Sequence, residues 1–274
     1  MLRNSVPPRV LFTSSQQLRP TVGRLTYKEH QVATAKKDAL PECWQALEDC
    51  LNAGIDRVIL YGPAGIGKTY AGMTMGDVEA GAYRLVCTED MTNMDVTGGF
   101  MPSNNGGFMW LDGSALKAWK GNGTKGGRLI VDEIDKAGGD VFATLLAMLD
   151  SPQSASFEHP ETGEVVRPLA GFSAVMTTNV EEMAELPTAL ADRFPIRIRI
   201  NEPHPSALTR LSPDLREYAV RMADAGDKRI SLRAFMALDT LRKSVGMERA
   251  CELTFGVRAK QILDAIAVDK LGTR

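Results

Sequence analysis

The segment GPAGIGKT, residues 62–69, combines glycines, a lysine and a threonine at a spacing that binds phosphate groups. It fits the pattern GxxxxGK followed by Ser or Thr, with an apolar run before it and a helical pattern after it. Glycines let backbone N–H groups turn inward around phosphates, and Lys68 is expected to reach the β- and γ-phosphates. The Thr69 hydroxyl is expected to ligate Mg²⁺. The alternative, a chance glycine turn, is disfavoured by the elements on either side. The predicted nucleotide contacts are Gly62, Pro63, Ala64, Gly65, Ile66, Gly67, Lys68, Thr69 and Tyr70.

Two adjacent acids, Asp132 and Glu133, end the apolar run RLIVDE that begins at Arg128. A carboxylate at the tip of a buried strand, beside a phosphate-binding loop, can supply Mg²⁺ with an oxygen ligand, which we predict for Asp132. The next acid, Glu133, can lean toward the γ-phosphate and polarise an attacking water. The alternative is a solvated acidic turn that caps the following helix.

Two further polar residues lie beside strand-like runs. Asn179 lies near the end of the segment AVMTTNV, where its amide can hold a water as both donor and acceptor, although Asn also starts turns. Arg193 stands between an Asp and a Phe ahead of the run IRIRI, and nothing in its local sequence explains it. It could form a salt bridge with Asp192 or another acid of its own chain.

Five short apolar runs, spaced by helical segments, would position these residues. They are RVILYG at 57, YRLVCT at 83, RLIVDE at 128, FSAVMTT at 172 and IRIRI at 196. Continuous apolar runs that alternate with helices predict an α/β fold with a parallel sheet covered on both faces. A helix is predicted from Pro41 to Gly54, and only helical patterns follow Ser206.

Three regions follow from these patterns. Residues 1–37 are predicted to be a basic arm, with seven Lys or Arg against one acid. Residues 38–204 are predicted to form the nucleotide-binding core, and residues 205–274 a small α-helical domain. The basic arm could bind nucleic acid or an acidic neighbour, or it could be disordered or docked on an adjacent subunit.

The order of GPAGIGKT, LIVDEID, TTN, ADRF and SLRAF resembles the AAA+ ATPases, and more closely the MoxR/CbbQ branch with its dynein-related and McrB-like modules. The similarity runs from about residue 40 to about residue 245. It implies a P-loop NTPase αβα core with a five-stranded parallel sheet of order 5-1-4-3-2, and a C-terminal helical lid. It also implies Mg²⁺ and ATP, with the nucleotide bound between subunits of a ring.

The resemblance also assigns roles to single residues. Lys68 and Thr69 match Walker A, while Asp132 and Glu133 match Walker B, with Thr69 and Asp132 at the metal and Glu133 as catalytic base. Asn179 matches sensor 1. In SLRAF, Arg233 matches sensor 2. In ADRF, Arg193 matches the arginine finger, which implies that it contacts a nucleotide bound by a neighbouring chain and does not form the salt bridge within its own chain. Two positions depart from the usual pattern without removing a phosphate contact: Ala64 stands where many relatives have Pro, and Tyr70 where a smaller residue is commoner.

Three aromatic residues, Phe100, Phe108 and Trp110, lie among glycines in GGFMPSNNGGFMW. Large apolar residues are usually buried, so we expect them to pack under a loop. In the resembled branch an insertion near this place faces a central pore, which is the alternative. The segment SPQSASFEHPETGEVVRP is expected, by the same resemblance, to carry a hairpin with a Gly turn.

The composition is that of an ordinary globular protein: 274 residues, 44% hydrophobic, 24% charged and a net charge of −2. This balance argues against a nucleic-acid footprint over the whole chain. No apolar run is long enough for a membrane span, and the four cysteines form no CxxC pair, so we expect a cytoplasmic, reduced protein. Three scattered histidines give little basis for a metal hydrolase or a Ser/His/Asp triad.

Together these features predict a Mg-ATP hydrolase. The resemblance further implies a homo-oligomeric ring of six chains that remodels or activates a partner protein. The partner could carry a von Willebrand A-type domain, which is common beside this branch. Alternatives are a nucleic-acid-associated viral or plasmid motor or loader, a McrB-like GTPase, and a nucleotide-gated scaffold that hardly hydrolyses ATP. Stimulation by DNA would favour a motor, whereas the Glu133 and Asn179 pair disfavours a pure scaffold.

Overall fold

The computed structural model describes residues 40–104, 106–182 and 187–272. The predicted basic arm, residues 1–37, lies outside the described residues. The strands are β1 (Arg57–Tyr61), β2 (Ala82–Val86), β3 (Gly98–Pro102), β4 (Phe108–Asp112), β5 (Arg128–Asp132), β6 (Phe157–Glu158), β7 (Val165–Val166), β8 (Ser173–Thr177) and β9 (Ile196–Arg199). The helices are α1 (Glu42–Asn52), α2 (Lys68–Thr74), α3 (Asn93–Thr97), α4 (Ser114–Lys120), α5 (Gly139–Met148), α6 (Thr188–Arg193), α7 (Pro205–Leu208), α8 (Pro213–Ala223), α9 (Leu232–Val245), α10 (Met247–Phe255) and α11 (Ala259–Gly272).

Five strands form one parallel sheet in the order β2-β5-β8-β1-β9. These are the five apolar runs of the sequence, and numbering them 1 to 5 along the chain gives the spatial order 5-1-4-3-2. The predicted fold class and strand order are therefore confirmed. In β1 and β5 nearly every residue is buried, because helices cover both faces of the sheet.

Two apolar clusters hold the helices onto the sheet. On one face, Trp119 and Leu145 pack among residues of β5 and β8. On the other face, α1 buries Trp44 and Leu47 against β1 and β9, with Cys43 in the same cluster and Cys50 packed against it. The sheet is thereby fixed from both sides, so the loops at its carboxyl edge are built on a rigid support.

The chain after Pro205 is helical, and it encloses a third apolar cluster that includes Leu215, Phe235 and Leu238. The predicted domain boundaries at residues 37 and 204 stay predictions. In the described part of the chain no helix is long and apolar enough to cross a membrane.

The glycine-rich segment before α4 is an antiparallel hairpin of β3 and β4, with Phe100 opposite Trp110. The expectation that its aromatic residues are buried is wrong for two of them: Phe100 is 46% exposed and Phe108 is 72% exposed. Trp110 is half-buried and packs against Phe100, 5.3 Å away between ring centroids, and against two rings of the β6–β7 hairpin. A second face of the β3–β4 hairpin exposes Met101, Met109 and Leu111, so apolar side chains reach solvent on both sides.

The predicted hairpin in SPQSASFEHPETGEVVRP is also present. It is formed by β6 and β7, where Phe157 lies opposite Val166 and Glu158 opposite Val165. Gly163 has a φ of 69° in the turn between them, a conformation that favours glycine.

Candidate nucleotide site

The loop between β1 and α2 carries the GPAGIGKT sequence and lies at the carboxyl edge of the sheet. Its three glycines have positive φ angles: 115° at Gly62, 76° at Gly65 and 115° at Gly67. Residues with a Cβ rarely adopt such angles, and a Cβ at Gly62 would also come within 2.7 Å of the Ile200 carbonyl oxygen. The glycines are therefore required for the loop to turn tightly between β1 and α2.

The Lys68 side chain folds back across this loop. Its Nζ donates to the carbonyl oxygens of Gly62 and Pro63, both at 2.8 Å, and to Asn179 Oδ1 at 3.0 Å. Burial lowers the pKa of Lys68 to about 8, although Asp132 opposes that shift. A buried ammonium group surrounded by neutral carbonyls is a favourable place for an anion, because phosphate oxygens would restore the charge balance lost on burial.

Thr69 and Asp132 come together as the proposed metal pair. Thr69 Oγ1 donates to Asp132 Oδ1 at 2.7 Å, so a hydroxyl and a carboxylate oxygen lie side by side. Mg²⁺ prefers oxygen ligands and usually keeps several waters, so one or two protein ligands plus phosphates suffice. Among the described residues, no three His, Cys, Asp or Glu side chains cluster in a way that could hold a metal ion. This donor set fits Mg²⁺ bound with a nucleotide and does not fit a metal held by the protein alone.

Two residues that the sequence reasoning missed also hold Asp132. Thr177 donates to Asp132 Oδ1, and Arg84 on β2 donates to Oδ2 through two nitrogens, with Nε at 3.0 Å. Burial alone would raise the pKa of Asp132, but these hydrogen bonds and the Arg84 charge outweigh burial and lower it. The only sequence signal for Arg84 is a basic residue inside an otherwise apolar strand.

The Asn179 side chain contacts two functional groups from different parts of the chain, Lys68 at the start of α2 and Glu133 just after β5. Its Oδ1 accepts from Lys68, while its Nδ2 donates to Glu133 Oε1 at 3.4 Å. Glu133 has φ 58° and ψ 48°, a left-handed conformation that costs about 1–3 kcal/mol in a residue with a side chain. The other carboxylate oxygen of Glu133 accepts from Lys136 Nζ at 2.6 Å. The strained backbone thus presents a carboxylate that Asn179 contacts on one oxygen, while the other oxygen forms an exposed ion pair with Lys136.

Arg233 lies beside the loop, at the start of α9. A methyl group placed on Gly65 would lie 3.0 Å from Ser231 Cβ and 4.0 Å from Arg233 Cδ. The Arg233 side chain is exposed, and Ser231 caps the helix by accepting from the Ala234 N–H at 3.3 Å. The helical segment therefore places an exposed guanidinium near the phosphate-binding loop of the same chain.

Arg193 lies away from this site. It ends α6 just before β9, at the amino edge of the sheet, whereas Lys68 follows the carboxyl end of β1. Its Nη2 is 3.2 Å from Asp150 Oδ2, and its Nη1 donates to the Ala189 carbonyl at 3.1 Å. The five residues of β1 separate the two edges by about 13 Å. Within one chain Arg193 pairs with Asp150, and not with Asp192 beside it.

The central part of this chain is similar to a family model and to known proteins. A family model described as "AAA domain (dynein-related subfamily)" matches residues 57–194, half of the chain. An uncharacterized protein of Staphylococcus aureus (strain bovine RF122) is 30% identical over 144 residues, which cover 50% of this chain and 52% of that protein. An uncharacterized protein of Staphylococcus saprophyticus is also 30% identical over 144 residues, which again cover 50% of this chain and 52% of that protein. This chain thus spans about half the length of the curated relatives it matches.

One solved structure, NtrX from Brucella abortus, is 14% identical. The match covers 74% of this chain and 52% of that chain, with a TM-score of 0.48. A similarity this distant adds nothing to the strand order already described.

Proposed function

Because the chain belongs to the AAA domain family, dynein-related subfamily, we propose that it is a Mg²⁺-dependent ATP hydrolase that acts as a ring of identical copies. We further propose that it belongs to the MoxR/CbbQ branch, because two of its segments resemble that branch. They are TEDMTNMDVTGGF, after β2, and WLDGSALKAWKGN, ahead of β5. The observation that carries the hydrolase proposal is the contact of one amide, Asn179, with both Lys68 and Glu133.

Each residue of the site has a distinct task in this proposal. Lys68, already held over the loop by carbonyl oxygens, stabilises charge on the terminal phosphates. Glu133 accepts a proton from the attacking water, and Asn179 keeps the Glu133 carboxylate in place. Mg²⁺, held by Thr69 and Asp132, would neutralise phosphate charge and orient the phosphates. Arg233 is proposed to add a second positive charge from the helical segment.

Arg193 is proposed to complete the site of a neighbouring chain. Its place at the amino edge of the sheet, against Asp150, makes a contact with its own chain's nucleotide unfavourable. A guanidinium supplied by a second chain offers a planar fork of donors to the γ-phosphate, and such residues are worth about 10³- to 10⁵-fold in rate. Hydrolysis would then depend on assembly, with a six-membered ring as the proposed arrangement.

The proposed use of hydrolysis is to remodel or activate a partner protein. The β3–β4 hairpin supports this proposal, since Phe100, Phe108 and Met109 are exposed on a segment that the fold itself leaves uncovered. Isolated exposed apolar residues are common, but this short hairpin exposes five, two on one face and three on the other, so both faces can contact another polypeptide.

A subunit-mixing assay tests the hydrolase and the shared site together. Arg193→Ala and Glu133→Gln are each expected to be nearly inactive alone, while both still bind ATP and assemble as judged by light scattering. In a mixed assembly, a Glu133→Gln chain can lend Arg193 to a neighbour that retains Glu133. Mixing is therefore expected to restore ATP hydrolysis.

The matched control is Arg249→Ala, which removes an exposed arginine that pairs with Glu252 on α10. It is expected to hydrolyse ATP at the wild-type rate, alone or mixed. If the two inactive variants assemble together but recover no activity, Arg193 acts inside its own chain. If the wild-type chain binds ATP without hydrolysing it, the scaffold alternative replaces the hydrolase.

A further inference from the structure

A carboxylate at the border of the phosphate-binding loop lies between two arginines of different segments. Glu181 Oε2 is 3.3 Å from Arg199 Nη2, and Glu181 Oε1 is 3.7 Å from Arg229 Nη1. Arg199 also pairs with both oxygens of Asp224, at 2.8 and 2.9 Å. We call these four residues the rim cluster. Glu181 and Arg199 belong to the sheet region, whereas Asp224 and Arg229 belong to the helical segment.

The rim cluster borders the proposed phosphate site. Glu181 follows Asn179 by two residues, and the Val180 carbonyl between them accepts from the Gly62 N–H at 3.2 Å. On the other side of the loop, a methyl group placed on Gly62 would lie 3.6 Å from Arg199 Cγ.

The two arginines are held differently. Arg199 has a two-pronged contact with Asp224 in addition to Glu181, which is the strong geometry for a guanidinium and a carboxylate. The contact of Arg229 with Glu181, at 3.7 Å, is longer than a hydrogen bond. The side chain of Glu181 is 54% exposed, so this pair is screened by water and weak. A strong anion nearby can therefore compete with Glu181 for Arg229.

A nucleoside triphosphate is such an anion. Bound at the loop, it would repel the Glu181 carboxylate and attract the Arg229 guanidinium, because Glu181 follows the loop contact of Val180 with Gly62 and lies 3.7 Å from Arg229. Arg229 lies two residues before Ser231, the cap of α9, and four residues before Arg233. A movement of Arg229 would therefore draw the start of α9 toward the phosphates.

We propose that Glu181 and Arg229 form a latch that a triphosphate opens: Glu181 holds Arg229 in the nucleotide-free chain, and the γ-phosphate takes Arg229 from it. Arg199 stays paired with Asp224, and after the latch opens it is the one arginine of the rim cluster that still contacts Glu181. This inference rests on the proposed function, since it requires a nucleotide at the loop. It adds Arg229 to the phosphate-binding residues and gives the chain a means to distinguish triphosphate from diphosphate.

The latch predicts opposite effects for its two members. Arg229→Ala is expected to weaken triphosphate binding about tenfold, because a charge-assisted contact is lost. Glu181→Gln is expected to tighten triphosphate binding severalfold, because the competing carboxylate is gone. Two residues of an ordinary structural ion pair would shift affinity in the same direction.

A double-mutant cycle separates the latch from simple repulsion by Glu181. If Glu181 acts by holding Arg229, Glu181→Gln has little effect once Arg229 is already alanine. If Glu181 only repels phosphate, Glu181→Gln tightens binding equally in both backgrounds. The two models therefore differ in the coupling between the substitutions.

The experiment measures dissociation constants of the full chain for a non-hydrolysable ATP analogue and for ADP, with Mg²⁺, by isothermal titration calorimetry. The variants are Arg229→Ala, Glu181→Gln, the double variant and Lys68→Ala, with Arg249→Ala and Glu252→Gln as a matched exposed ion pair on α10. Support for the latch requires that Arg229→Ala and Glu181→Gln change the affinity for the ATP analogue in opposite directions, and that the two substitutions are strongly coupled. The changes in affinity for ADP should be smaller, and the two α10 variants should bind both nucleotides as the wild type does.

Weaker binding by Glu181→Gln, additive effects, or equal effects on ADP and the ATP analogue would each overturn the latch while leaving the proposed function standing. If the wild-type chain binds no nucleotide, or binds as the Lys68→Ala variant does, the proposed function and the latch are both wrong. Thermal unfolding of each variant without nucleotide shows whether a change in affinity arises from loss of the fold.

Discussion

Lys68 Nζ and Asn179 Oδ1 lie 3.0 Å apart although 111 residues separate them in the chain. The same Asn179 side chain donates to Glu133 Oε1 at 3.4 Å. A cation from the loop after β1 and a carboxylate from the end of β5 are thus linked by one amide from the end of β8. This arrangement has a direct consequence for catalysis, because a change at Asn179 releases both groups at once.

Asn179→Ala is therefore expected to lower kcat for ATP hydrolysis by about 10²-fold, the scale seen when one positioned hydrogen-bonding group is removed from an active site. The dissociation constant for ATP should change by only a few fold, because the loop and Lys68 remain. Steady-state kinetics and equilibrium binding check both values. Asn52→Ala, an exposed asparagine at the end of α1, is the control. A kcat within twofold of wild type would remove Asn179 from the catalytic arrangement.

Glu133→Gln is expected to bind ATP but to hydrolyse it at least about 10²-fold more slowly, because an amide cannot accept the proton of the attacking water. Rapid-quench single-turnover measurements, together with a binding assay, separate hydrolysis from binding. This substitution also breaks the Glu133–Lys136 ion pair, which has an N–O distance of 2.6 Å.

Lys136→Met is the matched control for that loss, since it breaks the same ion pair and keeps the carboxylate. Hydrolysis by Lys136→Met should stay within about threefold of wild type, as expected for an exposed pair. An equal loss in both variants would mean that the ion pair, and not the Glu133 carboxylate, supports hydrolysis.

Gly62→Ala is expected to abolish nucleotide binding and to lower the melting temperature. The φ of 115° is unfavourable for alanine, and the new Cβ would meet the Ile200 carbonyl oxygen at 2.7 Å. The strain is about 1–2 kcal/mol from the backbone conformation, and the overlap adds about 1–3 kcal/mol.

Gly54→Ala is the control for the backbone contribution alone. Gly54 has a φ of 78°, but a Cβ there would meet no atom within 4 Å. It should lower stability less than Gly62→Ala and leave nucleotide binding intact. Differential scanning fluorimetry and calorimetric titration measure the two quantities, and equal losses in both glycine variants would contradict the steric argument.

Asp239→Asn is expected to destabilise the helical segment by about 3 kcal/mol, because it disrupts a buried and charged hydrogen-bond network. Asp239 accepts from the Ser212 N–H at 3.0 Å, from Ser212 Oγ at 2.8 Å and from Arg242 Nε at 2.8 Å. Burial raises the pKa of Asp239, but these contacts outweigh burial and lower it.

A carboxyl group with a lowered pKa in the folded chain stabilises the fold above its unfolded pKa of about 3.9, and this contribution is lost as pH falls through the folded value. The difference in free energy of unfolding between wild type and Asp239→Asn should thus be full at pH 6 and shrink below pH 4. Urea unfolding across this range measures it. A difference that stays constant for Asp239→Asn across this range would exclude the ionised carboxylate as its source.

The residue patterns predicted the five strands and the convergence of GPAGIGKT, Asp132, Glu133 and Asn179 at one edge of the sheet, whereas the strand order was an implication of the resemblance to AAA+ ATPases. That was possible because strand and helix patterns are local. The carboxyl ends of parallel strands also meet at the same edge, so residues that follow them come together without knowledge of any side-chain contact.

Contacts between side chains on different elements could not be predicted in this way. Two examples are the ion pair of Arg84 with Asp132 and that of Glu181 with Arg229. Both depend on which side chains the twisted sheet and the packed helical segment bring within about 4 Å of each other. Likewise, the general rule that aromatic residues are buried fails for Phe100 and Phe108, because the β3–β4 hairpin carries them away from the core. Sequence periodicity determined the elements and the edge where chemistry takes place, whereas only packing in three dimensions decided which charges face each other there.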